Sequence, residues 1–100
     1  MHKPDADLEP GDWCFCRADT YDDEGSPDES TLGVSFDEAT HVLLCDPNGI
    51  WHKPAVRGKG HQRNGATWIL TGTEDAPTLH PSLQDSQWHG WLKNGVVSDA

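Results

Sequence analysis

Three Asn-Gly pairs, at Asn48-Gly49, Asn64-Gly65 and Asn94-Gly95, constrain this chain more than any other feature. Both residue types accept positive φ at little cost, and the tight turns that join twisted antiparallel strands require it. Each pair also stands beside residues of strand type. The first joins 41–45 to 50–52, with Asp46-Pro47 leading into the turn. The second ends a basic loop, 53–63, and opens 66–70; the third joins 88–92 to 96–98. No stretch holds a helical period between caps, so the expected fold is mainly β: a small antiparallel, hairpin-built domain. A short helix still fits near 36–40 or 83–87.

Two further strands are expected upstream. Trp13-Cys14-Phe15-Cys16 alternates ring and thiol, which puts its two cysteines on one face and its two rings on the other. Residues 32–36 alternate again. Between and before them the chain is loop-rich and acidic, with 1–11 reading as a flexible lead and 12–100 as one small β domain. Only 34% of the 100 residues are apolar, so the core depends on large rings, and Trp51, Trp68, Trp88 and Trp91 are its expected filling.

The net charge of −10 sits wholly in the first two-fifths of the chain. Residues 1–40 carry twelve acids against Lys3 and Arg17, while 41–100 balance five acids with five bases. An arm of that sign repels nucleic acid and anionic membrane at long range, so neither is an expected partner. Asp19, Asp22, Asp23, Glu24, Asp28 and Glu29 form either a solvated loop or a contact surface for a basic protein partner. The basic loop, with Lys53, Arg57, Lys59 and Arg63, is too weakly charged to reverse this; it is solvated or pairs with the acidic arm, within the chain or in a homo-oligomer. Three cysteines, with no apolar leader or membrane-length run, point to a reducing cytoplasm, with thiols free or on a metal.

Metal chemistry is the first functional candidate. Cys45 and His52 flank the first Asn-Gly turn seven residues apart, so a hairpin can fold them toward each other. Zinc favours thiolate and imidazole in tetrahedral geometry. His89, on the later strand, is the expected third ligand, with Cys14, Cys16, His41 or His80 open as the fourth. Catalysis has less behind it. A zinc hydrolase with Asp85 or Asp99 as base, or a nucleophilic pair of Cys45 and His52, is conceivable. No Gly-rich phosphate loop, nucleophile elbow or paired-carboxylate spacing is present, and no catalytic residue is assigned.

The stretch PTLHPSLQDSQWHGWLKNG (77–95), preceded by Trp68 and Gly72, resembles a family of small bacteriophage and prophage proteins of unknown function. That family runs W…G…PTxxPSI…CHxFxxxG, and some members carry the label ammonia monooxygenase. Pro77, Thr78, Pro81, Ser82, His89 and Gly95 match directly, over a resemblance that covers about 41–99. Its upstream CPGCxxxH becomes CDPNGIWH here, which keeps Cys45 and His52 but places Asn48 at the second cysteine. Trp88 replaces the cysteine of Cys-His. The resemblance thus implies a zinc site reduced to Cys45, His52 and His89, or one lost to aromatic packing.

The function expected on these grounds is non-catalytic: a phage or prophage accessory protein acting by protein binding, such as an acidic inhibitor of a host nucleic-acid-handling or defence complex. A virion structural or decoration protein is the alternative, and a small zinc-dependent hydrolase the second.

Overall fold

The structure is a computed structural model that describes residues 9–17, 31–60, 65–84 and 88–100. Nine strands build three small antiparallel sheets among these residues. The first sheet contains β1 (Trp13–Arg17), β2 (Thr31–Leu32), β3 (His41–Cys45) and β4 (Trp51–His52), in the order β2-β1-β3-β4. The second pairs β5 (Ile69–Gly72) with β6 (Pro77–His80). The third has the order β7-β8-β9, with β7 (Leu83–Gln84), β8 (His89–Lys93) and β9 (Val96–Asp99). The mainly β, hairpin-built fold expected from the Asn-Gly pairs is the one observed. Among the described residues no helix forms, and none is long and apolar enough to cross a membrane.

Period-2 alternation in β1 and β3 separates two apolar clusters. Trp13 pairs with Leu44 and Phe15 with Val42, and these four face the main core beside Leu79, Leu83, Trp88 and Leu92. Cys14 and Cys16 face the other way, in a cluster with Leu43 and Cys45 against Trp51. Rings and thiols therefore divide as the sequence pattern requires. The wholly buried tryptophans are Trp13 and Trp88; Trp51, Trp68 and Trp91 are only half-buried, which revises the expected core quartet.

Strand 32–36 is not formed. Gly33 adopts φ +75° and ends the pairing, although Phe36 still reaches Phe15 edge-on at 5.7 Å. Residues 36–38 make a turn in place of a helix, with Glu38 N–H donating to the Ser35 carbonyl. At the basic loop, Lys53 is buried, and Lys59 Nζ donates to the Asp37 carbonyl at 2.8 Å. The acidic positions Asp19, Asp22, Asp23, Glu24, Asp28 and Glu29 lie outside the described residues.

The third Asn-Gly pair joins β8 to β9 with both residues at positive φ, 52° at Asn94 and 79° at Gly95. This is the two-residue turn whose twist matches the strands. It docks onto β6: Gly95 N–H donates to the Pro77 carbonyl and Asn94 N–H to Thr78 Oγ1. Gly95 also accepts a buried 2.7 Å bond from Trp13 Nε1, which ties the first sheet to the last.

Candidate active site

The first Asn-Gly turn is built around a carboxylate. Asp46 is fully buried, and its Oδ1 accepts the N–H groups of Asn48 (2.8 Å) and Ile50 (3.0 Å). Its Oδ2 accepts His52 Nε2–H at 2.8 Å. Burial alone pushes the Asp46 carboxyl up, but the bonds from His52, Ile50 and Asn48 and the attraction of the His52 ring outweigh it and hold the carboxyl below its ordinary value. His52 then lies against Trp88, with ring centroids 5.2 Å apart. The Trp88 indole donates to Asp99 Oδ1 at 2.8 Å and lies over Gly90, where a Cβ would overlap the ring and the Ser98 carbonyl. Only glycine fits there.

A second polar pair stands on the exposed side of β8. The β7–β8 register sets Leu83 opposite Gly90 and Gln84 opposite His89. Alternation places Trp88 and Leu92 in the core and turns His89 outward, where Ser82, just before β7, meets it. Ser82 Oγ lies 2.9 Å from His89 Nε2. Ser82 is half-buried and His89 exposed, so a reacting group can reach both. Among the described residues no carboxylate contacts His89. Asp99 is held by Trp88, and Asp85 lies outside the described residues. The arrangement is a serine–histidine dyad at hydrogen-bonding distance, the geometry by which a histidine takes a hydroxyl proton.

The expected zinc site is not formed. Cys45 pairs with Trp51 and His52 with Leu44, so Cys45 and His52 project from opposite faces of their hairpin. His89 is engaged by Ser82, and among the described residues no three His, Cys, Asp or Glu side chains gather where they could hold a metal. The zinc-binding reading is corrected on that ground. Cys14 and Cys16 share the face of Cys45 but not that of His52. His41 is buried beside Thr40 Oγ1, and His80 is exposed on β6. A Cys45–His52 nucleophilic pair fails for the same reason of facing. Burial, and then the charges of Asp46 and Asp12, also push the Cys45 thiol up, away from a reactive thiolate.

With the dyad in place, the comparison with protein families is decisive. A family model described as "Bacterial ubiquitination-like system serine protease (BubE)" matches residues 17–100. The chain belongs to the BubE family. No curated protein and no solved structure matches. BubE membership overturns both the assignment to a phage family of unknown function, with its ammonia monooxygenase label, and the reading as a phage accessory protein. The BubE description names a serine chemistry, and among the described residues Ser82 is the serine bonded to a histidine. From sequence, Ser82 entered only as a matched position and Asp46 only as a turn residue. The available signal was Ser82 and His89 on either side of a short reversal, which one hairpin step brings together.

Proposed function

We propose that the protein is a serine protease in which Ser82 Oγ is the nucleophile and His89 Nε2 the general base. The 2.9 Å contact between these two atoms, with Ser82 half-buried and His89 exposed, carries the reading. The family description supports the reaction class. In this scheme the Ser82 hydroxyl donates to Nε2. As Oγ forms its bond to a peptide carbonyl carbon, its proton passes to Nε2 and the carbonyl π pair moves to oxygen. Collapse breaks the C–N bond, and the Nε2 proton goes to the departing amine. Water, deprotonated by the same nitrogen, then frees Ser82 from the acyl group. The substrates and protein partners are polypeptides of a ubiquitination-like system, in keeping with the family's description.

Next to His89 in sequence, the Asp46–His52–Trp88–Asp99 array, buried at Asp46 and Trp88, holds the root of β8. It positions His89 without touching a substrate. The test is covalent labelling with a fluorophosphonate, read by mass spectrometry of the digested protein. The expected result is one adduct per chain on Ser82, absent from Ser82→Ala and strongly reduced in His89→Ala. An adduct elsewhere, or none on a folded wild type, sinks the assignment.

A further inference from the structure

The hydrogen-bonding phase of the β8–β9 hairpin fixes which way the main chain of β7 points. Ala100 N–H donates to the His89 carbonyl at 3.0 Å, and Gly90 stands opposite Asp99, so His89 and Ala100 form a hydrogen-bonded pair. Along a strand these groups point alternately to the two sides. His89, Trp91 and Lys93 therefore turn their N–H and C=O toward β9, while Gly90 and Leu92 turn theirs toward β7. Leu83 answers Gly90, which leaves Gln84, opposite His89, at a non-hydrogen-bonded position. The N–H and C=O of Gln84 point away from β8. β7 is the outer strand of its sheet, Gln84 is exposed, and among the described residues no other strand covers this edge. An open strand edge is a template for pairing with another chain. Here it lies two residues from Ser82, beside the dyad.

We propose that this edge is the substrate-binding strand: an extended stretch of polypeptide adds to β7, pairs its main chain with the N–H and C=O of Gln84, and so brings a peptide carbonyl to Ser82. The inference rests on the reading of Ser82 and His89 as nucleophile and base. Recognition through main-chain groups selects conformation before sequence. The substrate is then an extended tail or loop, and a helical segment, whose own amides are already bonded, is refused. Because β7 has only two residues, the edge supplies few bonds, and the dyad stays open to small electrophiles that need none of them.

The experiment uses a quenched random-sequence peptide library and a fluorophosphonate on wild type, Gln84→Pro and Gln84→Ala. Proline removes the outward N–H, whereas alanine keeps it. With the library peptide cleaved fastest, Gln84→Pro should lose about tenfold or more in kcat/KM, mainly through KM, and Gln84→Ala about twofold or less. Both variants should still take the fluorophosphonate on Ser82, because that reaction needs none of the edge's bonds. Since Gln84→Pro could misfold, the same peptide methylated in turn at each main-chain nitrogen near the cut is tested on wild type. At least one methylation should lower kcat/KM about tenfold. Equal cleavage by the two variants, or indifference to methylation at every position, overturns the proposal while leaving the dyad standing. So does a wild type that takes the probe but cuts no peptide. A folded wild type that neither takes the probe nor cuts overturns the dyad, and the edge proposal with it.

Discussion

His52 and His89 sit in hydrogen bonds of nearly equal length, and their surroundings make them opposites. His52 Nε2 donates to Asp46 at 2.8 Å, and His89 Nε2 lies 2.9 Å from Ser82 Oγ. His52 is closed in: its carboxylate partner is fully buried and further bonded by two turn amides, and its ring rests on Trp88. His89 is exposed, and its partner is a neutral hydroxyl that can be drawn into reaction. One pair is saturated and can only hold structure. The other keeps unspent bonding capacity in a place that solvent reaches. Distance between two polar atoms does not separate these roles; the count of partners around them does.

The sharpest way to break that contrast is to delete Ser82. Ser82→Ala should lower peptidase turnover roughly a thousandfold or more, as loss of a nucleophile does in serine proteases, while the melting temperature stays within about 2 °C. A large loss of stability there would make Ser82 structural and erase the distinction. The mirror experiment is Asp46→Ala or His52→Ala. Breaking a buried pair costs about 3 kcal/mol or more, which in a domain of this size lowers the melting temperature by more than about 10 °C. Either variant melting like wild type would show that the buried pair holds nothing.

Acid should separate the pairs more gently. The Asp46 carboxyl is held below its ordinary value in the folded state, so its contribution is complete above the unfolded value of about 4 and fades as pH falls through the depressed folded value. Urea midpoints followed downward from pH 6 should therefore drop less steeply in Asp46→Asn than in wild type. Parallel curves would remove Asp46 from the acid response. The smallest expected effect is at Trp88. Trp88→Phe keeps an aromatic ring against His52 but removes the indole N–H from Asp99, a loss of about 1 kcal/mol in chemical denaturation. A modest fall in turnover at temperatures where the variant is fully folded would tie the Asp46–His52–Trp88–Asp99 array to the placement of His89.

Local rules made much of the architecture legible. The alternation of Trp13, Cys14, Phe15 and Cys16 foretells two faces because side-chain direction in a strand depends only on parity. Asn94-Gly95 foretells its turn because positive φ is a property of the two residues themselves. The polar pairs depend instead on register. Asn48-Gly49 also closes a hairpin, but only Gly49 has positive φ there, and the reversal includes Asp46 and Pro47. Cys45 thus pairs with Trp51, and His52 falls one step further, opposite Leu44. One step of register exchanges faces, which is enough to turn an expected Cys45–His52 metal pair into an Asp46–His52 bond. The meeting of Ser82 with His89 was hidden for a related reason: serine is common, and only the β7–β8 pairing selects this one.

The buried bond from Trp13 Nε1 to the Gly95 carbonyl spans 82 positions of sequence. A chain emerging from the ribosome makes β1 well before the β8–β9 hairpin that supplies the acceptor for its largest side chain. Contacts of such separation place folding toward the slow end of the range for small domains. Because that hairpin also carries His89, closure of the core and assembly of the Ser82–His89 dyad belong to one late event. The dyad is therefore complete only after the whole stretch from β1 to Gly95 has been made.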